Sequence, residues 1–401
     1  MGESAYAFYR AGAKLMATDL SGTPTTNLMV QACGDAHLAN FGFYGSPSRR
    51  LVFDINDFDE TLPASFEWDL KRLAASFVIA SADNGIDPAD REAIAAHCVG
   101  HYRDSMLQFA SQGLLDVWYA HVDVEDVIEE FRREGKKKYV KTAEAFKEKA
   151  KRQDSRKVLD KLTERVDGRN RITPDPPFIV RLSDLDPVLL PPDDADAIVR
   201  SVLATYAETM QDHLASLFRR FEPVDAALKV VGVGSVGTRC FIVLLEGRDE
   251  SDALFLQVKE AGPSVLEGPF APSAYDHHGR RVVEGQRAMQ TVSDLFLGWT
   301  HGPVGTHYFV RQLKDMKASL PIENFGPKRM KRYAELCAWT LAQCHARTGD
   351  PVLLSGYMGS GEVFADAVTE FAVAYAAQND ADFEEFSDRV GFSQDPQPVT
   401  T

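Results

Sequence analysis

Gln31-Ala-Cys33-Gly34-Asp35-Ala-His37-Leu-Ala-Asn40-Phe-Gly42 sets an aspartate and an asparagine five positions apart, in a loop after a strand-like run at residues 28–31. Phosphoryl transfer from ATP needs an acceptor for the incoming hydroxyl proton and a neutral oxygen ligand beside magnesium, and Asp35 and Asn40 offer both. Downstream, Asp54-Ile-Asn56-Asp57-Phe-Asp59-Glu60 closes a second strand-like run, residues 51–55, with the hard oxygen donors that magnesium prefers. Asp54 and Asp57 compete for the metal. An Asp-His-Asp-Asp grouping that includes His37 would also suit a transition metal and a hydrolase. No second histidine is close in sequence, although His277, His278, His301 and His345 are available from elsewhere in the chain, and His37 is read as a packing or hydrogen-bonding residue.

A second chemical feature lies some two hundred residues away. Val230-Val-Gly232-Val-Gly234-Ser235-Val-Gly237 is a GxGxxG string after a strand, which by itself would serve a dinucleotide site equally well. A dinucleotide site requires a helix to start inside the motif. Here β-branched and aromatic residues follow through Leu245, then a polar turn at residues 246–252 and another apolar run ending in Lys259. The pattern is strand, glycine turn, strand, polar turn, strand. In such a hairpin Gly232, Gly234, Ser235 and Gly237 let backbone N–H groups lie over phosphate oxygens, and Lys259 reaches the same phosphates as a point charge. In a kinase such a lysine is paired with a glutamate of the next helix. The helix expected over residues 280–296 carries Glu284 as the candidate, with Glu260 and Glu267 nearby.

The elements that must position these residues fall into four zones: 1–120, with helices at 6–20 and 68–82; a mostly helical 121–222; a strand-rich 223–318; and helices again over 319–401. Zone three also holds a strand at 308–313, and the last zone has helices at 331–345 and 363–378. At 401 residues the chain exceeds the usual size of one growing core, so two lobes with a cleft are expected. Hydrophobic residues at 44% and charged residues at 26% are ordinary globular usage. The net charge of -15 disfavours nucleic acid and anionic membrane as partners. No apolar run approaches a membrane span and the first residues carry no signal pattern, so a cytoplasmic location is expected. Five scattered cysteines without CxxC spacing read as buried thiols. The basic stretch from Arg132 to Lys157 reads as a solvated helix face.

The loop around Asp35 resembles the HGDxHxxN segment of aminoglycoside and choline kinases, with Cys33 where those families usually have histidine. In those kinases the metal aspartate precedes, by about a dozen residues, an aspartate-leucine pair that starts a buried helix. Asp69-Leu70 fits when counted from Asp57, so the resemblance implies Asp57 as metal ligand, Asp54 as second choice, and Asp69 as the anchor of the loop. The catalytic loop lies near residue 35 and the glycine loop near 232, the reverse of ordinary kinases. The implied fold is α+β, a bilobal protein-kinase-like fold with circularly permuted segment order and an extra helical segment at 121–222. Reconnection of this kind is feasible where the parent ends can be joined.

Phe8-Tyr-Arg-Ala-Gly12, Gly34 to Gly42, Phe53 to Thr61, Trp68 to Ala74, Gly232 to Thr238 and Val310 to Lys317 together resemble the uncharacterised bacterial family known as domain of unknown function 2252. That family is grouped with kinase-like folds. Within the set, Arg311, Lys314 and Lys317 are candidate anion contacts. The expected function is an ATP- and magnesium-dependent phosphotransferase acting on a small-molecule or protein acceptor. Asp35 is its base, Asn40 and Asp57 hold metal, and the glycine turn and Lys259 hold the phosphates. Its alternatives are nucleotidyl (AMP) transfer, a regulatory ATP-binding pseudokinase without turnover, and a metal-dependent hydrolase built on the acidic loop.

Overall fold

A computed structural model describes residues 2–152, 155–185, 192–230, 237–313 and 316–391. The chain is α+β and divides into two compact units: one formed from Met1–Asn40, Pro63–Val117 and Pro321–Thr401, the other from Phe41–Leu62 and Trp118–Leu320. Among the described residues no helix is long and apolar enough to cross a membrane.

The first unit is helical, around the helix Phe66–Asp83. Phe66, Leu70, Leu73, Ala74 and Phe77 on that helix are fully buried, and so are Asp69 and Arg72. Apolar residues on nearly every face leave it no solvated side, as expected of a core helix. It packs against the helices Pro88–Ala110 and Val363–Val390, with Phe66 against Tyr102 and Phe77 against Tyr333. The starts are set locally. Pro88, Pro327 and Pro351 each stand in a first turn, where a missing N–H costs nothing, and the Asp350 carboxylate caps the amides of Val352 and Leu353. Residues 6–20 read as one helix in the sequence; they form two, Ala5–Ala11 and Ala13–Ser21, because Gly12 caps the first through its N–H to the Tyr9 carbonyl. Strand β1 (Met29–Ala32) pairs with β4 (Leu62–Ser65).

The second unit is built on a six-stranded antiparallel sheet. Its strands are β8 (Ile179–Arg181), β9 (Glu222–Lys229), β10 (Cys240–Glu246), β11 (Ala253–Glu260), β12 (Gly298–His301) and β13 (His307–Gln312), in the order β12-β13-β11-β10-β9-β8. Alternation sorts the residues. Leu254, Leu256 and Val258 of β11 join Val243 and Leu245 of β10 against Tyr206 and Phe218, whereas Phe255 joins Ile242 and Leu244 against Val158 and Ile172. By the same period Gln257 and Lys259 lie on the face of Phe255. Between β11 and β12 runs the helix His278–Met289, shorter than the sequence suggests because it stops at Gln290, which is extended.

A small sheet of β2 (Phe41–Gly45), β3 (Leu51–Ile55) and β5 (Val122–Asp123) carries the acidic segment. Among the described residues, 121–222 hold five helices but also β5, β8 and a hairpin of β6 (Thr163–Val166) and β7 (Arg169–Ile172), strands that the sequence reading lacks. Its signal was present: Asp167-Gly168, with φ of 50° and 77°, is the turn that a two-residue hairpin selects.

Candidate functional site

In the first unit, the loop around Asp35 is suspended from the start of the helix Phe66–Asp83. Asp69 Oδ2 accepts the Cys33 N–H at 2.6 Å and Oδ1 accepts the Gly34 N–H at 2.9 Å. His345 Nε2 lies 3.2 Å from Asp69 Oδ2, and Tyr102 Oη meets His345 Nδ1 at 2.8 Å. Asp69 therefore anchors the loop, and the amide of Cys33 is held without a histidine at that position. Gly34 has φ of +80°, a left-handed conformation in which a side chain is strained. Asn40 Nδ2 donates to the Asp35 carbonyl at 2.8 Å, so the two residues meet within the loop.

The Asp35 carboxylate is committed too. Arg72 Nε and Nη2 converge on Oδ1 at 2.6 and 2.5 Å, and His37 Nε2 stands 3.7 Å from Oδ2. Arg72 is 3% exposed, donates to the Tyr9 carbonyl at 3.2 Å and lies 4.6 Å from the Tyr9 ring centroid. Burial alone would lower its pKa, but Asp35 and the Tyr9 side chain raise it, so it stays charged.

In the second unit, the acidic segment after β3 meets β11. Lys259 Nζ, buried, donates to Asp59 Oδ2. The Asp59 N–H donates to Asp57 Oδ1 at 3.3 Å, an Asx-type turn that sets the two carboxylates side by side. Burial raises the Asp59 carboxyl and the Asp57 charge raises it further, to about 6. Burial acts on Asp57 in the same sense, but Lys259 and Arg311 outweigh it and hold that carboxyl well below the usual range. Burial would neutralise Lys259; Asp57 and Asp59 overcome it and keep the ammonium charged. Asp59 Oδ1 is buried and has no hydrogen-bond partner among the described residues. Such an oxygen, beside a second carboxylate, suits a shared proton or a divalent cation.

Two arginines fix the segment. Arg281, from the helix His278–Met289, donates to the carbonyls of Thr61, Asp59 and Gly262 at 2.7, 2.8 and 2.9 Å. Arg311, opposite Gln257 across β13 and β11, donates to Gln257 Oε1 at 2.8 Å and to the Asn56 carbonyl at 3.1 Å. Asn56, Gln257 and Arg311 also line a cavity of about 910 Å³ within this unit. Among the described residues, Arg49, Lys161, Lys229, Arg311 and Lys317 face it against one lining carboxylate, Asp294, an excess of positive charge suited to an anion.

The other sequence candidates divide clearly. Asp54 is 3% exposed and accepts from the amides of Ile55 and Thr291 at 2.8 and 3.0 Å, so its oxygens serve the fold. Glu284 pairs with Arg287 at 3.3 Å and Glu260 with Arg239 at 2.8 Å; the acidic partners of Lys259 are Asp59 and Asp57 instead. The helix carrying Glu284 contributes Arg281 to the segment. Gly232, Gly234, Ser235 and Lys314 lie outside the described residues. Gly237 has φ of +91° and open space where a Cβ would be, and the flanking Val230 lines the cavity. Of the distant histidines, His345 reaches the Asp35 loop through Asp69, while His277 and His301 pack together in the second unit. Asp59, Gln257 and Arg281 were missed. For Asp59 the signal was its two-residue spacing from Asp57 at a strand end, and for Gln257 its alternation with Lys259.

None of the curated proteins and none of the solved structures compared with the chain matches it. Residues 1–389 match a family described as "Uncharacterized protein conserved in bacteria (DUF2252)". With nearly its whole length matched, the chain belongs to that bacterial family.

Proposed function

We propose that this protein is an ATP- and magnesium-dependent phosphotransferase with a kinase-like fold in permuted order. The observation that carries this reading is the buried Lys259, on the third of the consecutive antiparallel strands β9, β10 and β11, paired with Asp59 beside Asp57. A lysine on that strand, followed by a helix, is the arrangement by which kinases hold the nucleotide's phosphates. Magnesium fits the donor set: two adjacent carboxylates, one with an orphaned buried oxygen. Held by Asp57 and Asp59, the ion would neutralise the negative charge of the phosphates. The cation-lined cavity next to Arg311 fits the polyphosphate.

In this reading Asp57, aided by Asp59, holds the metal, Lys259 and the glycine string that ends at Gly237 hold phosphates, and Arg311 orients Gln257 toward the cavity. By their spacing alone, Asp35 and Asn40 are the candidates for proton acceptor and metal ligand. The acceptor is a small molecule or a protein, and AMP transfer is the variant in which the nucleotide binds reversed.

One observation favours a second reading, a nucleotide-binding protein without turnover. Asp35 is ion-paired with a buried arginine, and a carboxylate so stabilised is a weak proton acceptor. Thermal denaturation with ATP, with and without magnesium, tests the shared core of both readings. A magnesium-dependent rise in Tm in the wild type that disappears in Lys259→Met supports it, and an equal rise in the variant refutes it. Mass analysis of ATP incubations then separates phosphoryl transfer, AMP transfer and no turnover.

A further inference from the structure

His277, His301 and His307 come from three different places in the second unit: the N-cap of the helix His278–Met289, the end of β12 and the start of β13. One ring nitrogen of each lies within 4.8 Å of the others, and the ring centroids are 4.1 to 5.2 Å apart. The fold produces this convergence by specific means. His301 and His307 are directly opposed across β12 and β13, closed by a tight turn in which Gly305 has φ of +75° and the Gly302 N–H donates to the Thr306 carbonyl at 2.7 Å. The third histidine arrives because Gly279 has no side chain: a Cβ there would sit 2.2 Å from the Tyr308 carbonyl oxygen, so only glycine lets the helix start so near β13.

We propose that these three histidines form a binding site for a zinc-class divalent ion, which staples the start of the helix to the β12–β13 hairpin. Three imidazoles with a fourth position left to water is an established zinc arrangement. His277 is oriented as a ligand should be. Its Nε2 lies 3.1 Å from the Thr300 carbonyl, the backbone contact that fixes the tautomer of metal-bound histidines and leaves Nδ1 as the donor. In the ion-free molecule Nδ1 accepts the Arg280 N–H at 3.2 Å, a long bond that the ion would replace. His307 Nδ1 accepts the His278 N–H at 3.1 Å, which directs Nε2 outward. Tetrahedral coordination at about 2.0–2.1 Å needs nitrogens about 3.3 Å apart on converging ring planes, whereas the His277 and His307 rings are stacked at 19°, so both His307 and the exposed His301 turn on binding. The helix so stapled carries Arg281, which holds the carbonyls of Asp59 and Thr61, so the ion would steady the acidic segment from behind.

The test uses the full chain freed of metal by chelation, titrated with Zn2+ alone and followed by calorimetry and Tm, with Co2+ absorption as the ligand-field probe. One equivalent is expected to bind and raise Tm. The Co2+ spectrum should lack thiolate charge transfer, since all five cysteines are buried and free. His301→Ala and His307→Ala should each weaken binding at least about tenfold while leaving the ion-free Tm near the wild-type value. No saturable binding, or equal affinity in the doubly substituted protein, overturns the site. The readout contains no nucleotide, so it stands or falls separately from the ATP reading.

Discussion

The loop around Asp35 and the cluster around Asp59 are both acidic and largely buried, yet their polar atoms are disposed in opposite ways. In the first, the Asp69 and Asp35 carboxylates take up the amides of Cys33 and Gly34, His345 and the guanidinium of Arg72. In the second, two carboxylates lie side by side, one is pushed up to about 6, and one oxygen has no donor among the described residues. A region whose polar groups satisfy one another holds a shape. A region left with opposed charges is poised to take up something else.

That contrast is broken or sharpened by substitution. Asp69→Ala leaves two buried amides without an acceptor, at about 1–3 kcal/mol each, so urea unfolding should show a loss of about 2–6 kcal/mol; a loss below about 1 kcal/mol would mean that the Asp35 loop is not supported as described. Lys259→Met should act differently. Its main effect should be on ligand: loss of a charged hydrogen bond to phosphate, about 1.5–3 kcal/mol, weakens nucleotide binding by roughly ten- to a hundredfold. Calorimetry reads that change, and an unaltered affinity would remove the second region from nucleotide binding.

The pH dependence of stability gives a third, smaller effect. Asp59 titrates at about 6 in the folded chain, above the ordinary carboxylate value of 3.8, so the folded state binds the extra proton. Stability from this group is present below the unfolded value and lost as pH rises through about 4 to 6. Asp59→Asn should flatten that part of the curve, measured by urea unfolding at several pH values. The depressed Asp57 acts oppositely, losing its contribution as pH falls below the ordinary range. An unchanged slope in Asp59→Asn would show that the pair does not share charge as described. Smallest is Gly34→Ala, at φ of +80°: about 1 kcal/mol of destabilisation, seen as a modest fall in Tm, with no fall expected if the loop relaxes freely.

What the sequence made legible follows from range. Local signals worked: the contact of Asn40 with Asp35, the strands β9 and β10 on either side of the glycine string, and the lysine strand all depend on near neighbours and strict periodicity. Asp69 was legible through the resemblance, as the aspartate of the aspartate-leucine pair counted from Asp57. What was not legible depends on distant partners. Glu284 seemed the natural mate of Lys259, but which carboxylate reaches a buried ammonium is decided by packing, and Arg281 brings in Asp59 from two hundred residues away. Asp54 and Asp57 look alike in sequence; only the folded chain shows that the oxygens of Asp54 go to the amides of Ile55 and of Thr291, which follows the helix His278–Met289. The trio of histidines is invisible for the same reason, since His277 meets the hairpin only where Gly279 lets the backbones approach.

The most direct measurement is a crystal structure of the chain with magnesium and a non-hydrolysable ATP analogue. The expected result is Lys259 Nζ moved from Asp59 to a phosphate oxygen, with the metal ion on Asp57 and the freed Asp59. A nucleotide bound elsewhere, with the Lys259–Asp59 pair intact, would contradict the account.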